Sequence, residues 1–164
     1  MSDKERLCLV PGSFDPATLG HRFLAEEASR KYGKVLCVAF VNPEKEYTFT
    51  VEQRLSMMRA PFDGIENVSI EYCEGMLADF CRERGISVIL KGYRNEKDRE
   101  YELWMAEENK KRFDGAQTEL VRSPDDLISV SSTAVREILA SGGDASRLLG
   151  ERVAEMAQDF LKMQ

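Results

Sequence analysis

The chain is poor in histidine, in paired cysteines and in long apolar runs. His21 is the only histidine among 164 residues, and Cys8, Cys37, Cys73 and Cys81 are dispersed without a Cys-x-x-Cys pair, which argues against a zinc site. Three of the four lie in or beside apolar stretches and read as buried, reduced thiols of a cytosolic protein. No apolar run approaches the roughly 20 residues that a membrane-spanning helix needs. Met1-Ser2-Asp3-Lys4-Glu5-Arg6 is charged and leads straight into a short apolar stretch without a signal-peptide core, so neither secretion nor membrane insertion is expected. With 23 basic against 29 acidic residues the net charge is −6, which excludes a broad electrostatic footprint for nucleic acid. Any anionic ligand must be met by locally gathered cations. There is no Gly-x-x-x-x-Gly-Lys-Ser/Thr string, which sets aside a Walker-type ATPase.

A composition of 43% hydrophobic and 32% charged residues suits one globular domain, residues 1–164, with a substantial core. Residues 7–10, 35–41, 68–72, 88–90 and 120–121 read as buried strands. Helices are expected over 20–32, closed by Gly33; from the Thr50-Val51-Glu52-Gln53 capping box to about 59; and over 76–84, ended by Gly85. Three more are expected over about 98–113, from near Thr133 behind Ser131 and Ser132, and over 151–163. Lys91-Gly92-Tyr93-Arg94 reads as a loop. Strands alternating with helices predict a doubly wound α/β domain, a parallel five-stranded sheet covered on both faces, with ligands at the carboxyl ends of the strands.

Three polar segments leave those ends: 11–21, 91–94 and 129–136. In Pro11-Gly12-Ser13-Phe14-Asp15-Pro16-Ala17-Thr18-Leu19-Gly20-His21, glycines and prolines shape a turn that opens a helix. The unpaired N–H groups and partial positive charge of a helix N-terminus make a seat for phosphate, and His21 in the first turn adds a directed hydrogen bond. Read singly, other residues leave structural alternatives open. Glu102 and Asn109 lie on a charged, solvated helix; Ser131, Ser132 and Thr133 are served equally by capping; Lys45 stands in a polar loop; and Arg136 has Glu137 as a neighbouring partner.

Taken together, the strings resemble the signatures of the nucleotidyltransferase superfamily. One is Gly-Thr/Ser-Phe-Asp-Pro followed by Thr/His-x-Gly-His; the other, Ile-Ser-Ser-Thr-x-x-Arg, is approximated by Val130-Ser131-Ser132-Thr133-Ala134-Val135-Arg136. The phosphopantetheine adenylyltransferase family is similar over nearly the whole chain: Lys45 after Asn42-Pro43, then Phe49-Thr50-Val51-Glu52-Gln53-Arg54, Lys91-Gly92-Tyr93-Arg94, Tyr101-Glu102 and Asn109. The resemblance implies a Rossmann-like fold and transfer of the adenylyl group of ATP to 4′-phosphopantetheine, with magnesium as cofactor and no dedicated protein metal site. It implies catalytic roles for His21, Ser13, Lys45 and Arg94. On the nucleotide side it sets Ser13, Phe14, His21, Gly92, Tyr93, Arg94, Glu102, Ser131, Ser132 and Thr133. On the acceptor side it sets Ser13, Lys45, Leu77, Lys91 and Asn109. It further implies a cytoplasmic homo-oligomer, a homohexamer.

The chain departs from the family pattern at four places. Ser13 replaces threonine, Lys91 replaces arginine, Arg99 stands where an aromatic is common, and Glu108 stands where an apolar residue, often methionine, precedes the asparagine. Lysine keeps the charge but loses the planar fork that grips phosphate with parallel bonds. The changes fall mainly on the acceptor half. The alternatives are therefore a paralogue acting on another phosphate acceptor, such as nicotinamide or nicotinate mononucleotide, or a non-catalytic nucleotide-binding module; a glycerol-3-phosphate cytidylyltransferase fits the Tyr-Glu pairing less well.

Overall fold

A computed structural model describes residues 2–164. Five strands, β1 (Leu7–Gly12), β2 (Lys34–Phe40), β3 (Val68–Cys73), β4 (Val88–Tyr93) and β5 (Gln117–Arg122), pair in the order β3-β2-β1-β4-β5, every pair parallel. Seven α-helices accompany them: α1 (Leu19–Lys31), α2 (Val51–Phe62), α3 (Leu77–Arg84), α4 (Glu96–Arg112), α5 (Ser132–Ala140), α6 (Ser146–Leu149) and α7 (Glu151–Lys162). The chain winds outward from β1 to β3, then returns to the other side of β1 for β4 and β5. Strand order therefore reverses between β1 and β4.

The continuous apolar runs of β1 and β2 follow from burial on both faces of the sheet. Cys8, Val10, Cys37, Ala39 and Leu90 point to a layer completed by Ala25 and Ala28 of α1 and by Met58 and Phe62 of α2. Leu9, Leu36, Val38 and Ile89 point the other way, against Phe80 and Cys81 of α3 and Ala116. A third cluster joins α2 to α5, α6 and α7 through Met57, Val135, Leu149, Val153 and Ala157. All four thiols are free; burial raises the pKa of Cys8 and of Cys37 to about 12 and that of Cys81 to about 11, so these three are inert. No described helix is long and apolar enough to cross a membrane.

Several boundaries differ from the sequence reading for identifiable reasons. Lys91, Gly92 and Tyr93 are not a loop: they continue β4, in register with Leu120, Val121 and Arg122 of β5. Lys91 and Gly92 border a cleft, which accounts for a strand end that is not apolar. Helix α4 starts earlier than expected because Asn95 caps it, its side chain accepting from the Asp98 N–H at 2.8 Å. Gly33 does not close α1 through a left-handed turn. A Cβ there would lie 2.0 Å from the Lys4 carbonyl oxygen, so the close approach of that backbone requires glycine. Helix α6, four residues long, carries no periodicity to read.

Candidate active site

The reversal of strand order opens a crevice beyond the carboxyl ends of β1 and β4, the place where doubly wound sheets bind ligands. Two clefts meet there. One, of about 220 Å³, is walled by His21 and Gly20 of α1, by Gly92 and Arg94, by Glu102 of α4, and by Ser131 and Ser132. The other, of about 590 Å³, is walled by Ser13, Asn42, Lys45, Tyr47, Met76 and Leu77. Pro11, Gly12 and Lys91 border both. A narrow extension of about 90 Å³ runs from Leu77 and Lys91 between Glu102, Met105 and Asn109.

His21 sits in the first turn of α1 under local control. The Thr18 hydroxyl accepts from the N–H groups of Gly20 (3.2 Å) and His21 (3.4 Å), while His21 Nδ1 accepts from the Thr18 N–H at 2.9 Å. This reciprocal arrangement is a capping box in which histidine takes the place of glutamate or glutamine. An acceptor Nδ1 leaves the ring proton of a neutral imidazole on Nε2. The ring packs on Phe14, with centroids 4.5 Å apart, and burial, reinforced by the nearby Lys91 cation, lowers its pKa to about 4. The result is an uncharged N–H donor at the positive end of a helix.

The loop before α1 is held from several directions. Phe14 adopts φ +50°, an uncommon conformation for a side-chain-bearing residue, and is kept there by His21 on one side and Phe62 on the other. The buried Asp15 carboxylate accepts from the N–H groups of Thr48 (2.9 Å) and Phe49 (3.0 Å). Arg136 donates to the Asp15 carbonyl at 2.9 Å, and the Ser132 hydroxyl to the Pro16 carbonyl at 2.8 Å, so α5 clasps the turn from 116–121 residues away. Ser131 caps α5 through Ala134 N–H at 3.0 Å. Both serine hydroxyls are thus engaged within the protein, and the α5 amides above them are the groups left for a ligand.

Cations gather around the crevice. Lys45 Nζ lies 3.5 Å from Ser13 Oγ; Lys91 Nζ lies 3.6 Å from Glu102; and Arg94, which lines the smaller cleft, pairs through Nε with Asp98 at 3.2 Å. Lys91, expected on the acceptor side alone, borders both clefts and the extension because it extends from β4 between them. Leu77 joins the wider cleft to the extension, and Asn109 lines the extension only. Phe14, Tyr93 and Thr133 do not line a cleft: Phe14 is buried beneath His21, Tyr93 ends β4, and the Thr133 hydroxyl accepts from Arg136 at 3.2 Å. Sequence reasoning missed Asp15, Tyr47 and Arg54. A signal for Arg54 was present, since it occupies the i position of the buried stripe Arg54, Met57, Met58, Pro61 on α2.

The chain matches the cytidylyltransferase-like family over residues 9–138. It is 39% identical over 157 residues to a phosphopantetheine adenylyltransferase of Symbiobacterium thermophilum, covering 95% of this chain and 97% of that one. A phosphopantetheine adenylyltransferase of Heliobacterium modesticaldum is 36% identical over 94% of this chain and 92% of its own. This chain belongs to the phosphopantetheine adenylyltransferases. Its fold is shared more widely: a Plasmodium falciparum nicotinic acid mononucleotide adenylyltransferase superposes with a TM-score of 0.71 at 15% identity, covering 95% of this chain and 98% of that one.

Within this adenylyltransferase the four departures from the family pattern have distinct surroundings. Ser13 retains a hydroxyl in contact with Lys45. Arg99 turns to Glu96 at 3.2 Å on the outer surface of α4. Glu108, the carboxylate expected to burden an apolar pocket, faces away from the clefts and pairs with Lys111 at 2.8 Å, partly in solvent. The apolar side chain that α4 does offer to the extension is Met105. Ser13 and Lys91 are the two departures that line the crevice, and of these only Lys91 changes the functional group offered there.

Proposed function

We propose that this adenylyltransferase joins ATP to 4′-phosphopantetheine, with ATP phosphates in the smaller cleft and the acceptor in the wider one. An oxygen of the acceptor phosphate attacks the α-phosphorus of ATP as the bond from that phosphorus to the pyrophosphate oxygen breaks. The bonding electrons leave with pyrophosphate, and dephospho-coenzyme A is the product. The observation that carries this reading is the meeting of the two clefts over Pro11 and Gly12, with His21 on one side and Ser13 and Lys45 on the other.

Such a reaction brings two anions together, so positioning and charge stabilisation supply its rate. His21 Nε2–H donates to the oxygens of the transferring phosphorus beside the α1 amides, which a neutral ring does without drawing ATP into an ion pair before reaction. Arg94 and the α5 amides hold the β- and γ-phosphates. Lys45, the Ser13 hydroxyl and Lys91 take the acceptor phosphate. Glu102 draws Lys91 toward the boundary between the clefts. Leu77, Met105 and Asn109 line a path for the pantetheine arm.

Magnesium is included in this reading as a companion of ATP, a hard cation that phosphate oxygens would hold. It would supply charge neutralisation of the leaving pyrophosphate. We further place the protein in the cytoplasm as a homo-oligomer, a homohexamer by family resemblance, without nucleic-acid or membrane partners. Supporting assembly, none of the residues of α4 is buried, yet Tyr101 (57% exposed) and Trp104 (56% exposed) lie side by side on it, with Leu103 adjacent.

Pyrophosphate release with ATP, magnesium and a panel of acceptors tests the assignment. Turnover with phosphopantetheine and none with nicotinamide or nicotinate mononucleotide is the expected result. The reverse pattern overturns the acceptor, and no turnover with any of them overturns catalysis.

A further inference from the structure

Arg54 is the largest side chain in the core and is 1% exposed. Unlike most buried charges, it makes no ion pair with any described carboxylate, and its Nε has no hydrogen-bond partner. It also sits in the first turns of α2, where the helix dipole disfavours a cation. For stability alone an apolar side chain would serve this stripe better, as Met57 and Met58 do beside it.

What the guanidinium does make are two contacts that lead to functional groups. One terminal nitrogen donates to the Ser13 carbonyl at 3.0 Å. The plane lies over the Tyr47 ring, 4.0 Å from its centroid, and Lys45 Nζ lies 5.4 Å from the centroid of the same ring. Tyr47 in turn closes the segment that bears Lys45: its hydroxyl accepts from Asn42 N–H at 2.9 Å, and the Asn42 carbonyl accepts from Lys45 N–H at 3.0 Å.

We propose that Arg54 is the positioning residue that brings Ser13 and Lys45 to one acceptor phosphate, holding the backbone of the first and the aromatic ring beside the second. Neither residue is placed by regular secondary structure: Ser13 follows β1, and Lys45 lies between β2 and α2. The 3.5 Å between Ser13 Oγ and Lys45 Nζ therefore depends on a cross-link. Arginine suits the task because its planar face stacks while its edge donates; lysine cannot do both at once. The uncompensated charge also adds to the field that draws in a phosphate. The inference rests on the reading that the acceptor phosphate lies at Ser13 and Lys45.

The test is steady-state kinetics of Arg54→Lys with ATP and phosphopantetheine, alongside calorimetric ATP binding and thermal melting. The expected result is a loss of about 10–100-fold in acceptor kcat/KM with ATP affinity within about twofold, as for misplaced groups. In a Lys45→Ala background the same substitution should cost much less, because the two act on one phosphate. An unchanged acceptor kcat/KM in folded Arg54→Lys, or a loss fully additive with Lys45→Ala, overturns the proposal. Should Arg54→Lys fail to fold, Tyr47→Leu at the half-buried ring removes the stacking platform alone, and the same acceptor-selective, Lys45-dependent loss is expected; its absence overturns the proposal equally. The wild-type acceptor panel separates the two readings: turnover only with nicotinamide mononucleotide refutes the acceptor assignment, and the coupling of Arg54 to Lys45 is then measured on that acceptor with the same criteria.

Discussion

The Thr18 N–H points at Nδ1 of His21 from 2.9 Å, and this one bond decides which ring nitrogen carries the proton that a phosphate can receive. Thr18 is itself held by its place before α1, so the donor is aligned before any ligand arrives. His21→Ala should lower kcat about 10²–10³-fold, about 3–4 kcal/mol, as for loss of one preorganised donor. ATP affinity should change far less, because the bond strengthens as charge builds on the transferring phosphorus. Turnover at saturating substrates together with calorimetric ATP binding checks both halves.

The same ring links protonation to stability. Folding lowers its pKa from 6.5 to about 4, so between those values the unfolded chain binds more protons and stability rises with pH. Above that window the ring is neutral in both states and contributes no pH dependence; below it the full penalty is present, up to ~3 kcal/mol. Urea unfolding at about pH 4.5 and about pH 7.5 should show a smaller difference for His21→Ala than for the wild type. Equal differences would show that the ring titrates normally in the folded protein.

Asp15 anchors two backbone N–H groups with one carboxylate. Asp15→Asn leaves one of them facing an amide group and should cost about 1–3 kcal/mol of stability. Because Thr48 and Phe49 follow the Lys45 segment, the KM for the acceptor should rise while ATP binding holds. Chemical denaturation and separate KM determinations measure these effects.

Much of this was legible in the chain. Turns, caps and apolar runs are local signals, and they located every strand and all the α-helices except α6. The Thr50–Gln53 capping box is present as read, with bonds of 3.1 and 3.0 Å. The polar end of β4 reads as a loop because its partner, β5, lies in a distant part of the chain and pairing leaves no local trace. The capped N-terminus of α1 and its histidine were visible as a string. The clasp of Arg136 on Asp15 and the cross-link through Arg54 were not, since each joins residues far apart in sequence whose types are ordinary in isolation. Glu108 looked misplaced for the opposite reason: alignment to a pattern gives a neighbour, whereas the turn of the helix gives a direction.

Lys91 and Glu108, both unusual for the family, should therefore behave differently. Glu108→Met should leave ATP binding and turnover unchanged and alter stability by less than about 0.5 kcal/mol, since the pair with Lys111 is exposed. Lys91→Ala should raise KM for both substrates, because the ammonium borders both clefts. Kinetics with each substrate varied in turn distinguishes the two patterns.

The aromatic pair on α4 gives a test of assembly. Trp104→Glu places a charge in the apolar patch and should shift the protein toward smaller species in analytical ultracentrifugation, with the far-ultraviolet circular dichroism preserved. An unchanged sedimentation profile would remove α4 from the interface.

Pro11 and Gly12 floor both clefts and belong to the central strand, whose neighbours β2 and β4 pair with it on either side. The two clefts thus share a floor of covalent backbone. If the acceptor lies in the wider cleft, its walls can be exchanged, and with them the molecule admitted, while that floor stays the same. The fold around that floor is shared with the Plasmodium falciparum nicotinic acid mononucleotide adenylyltransferase at 15% identity.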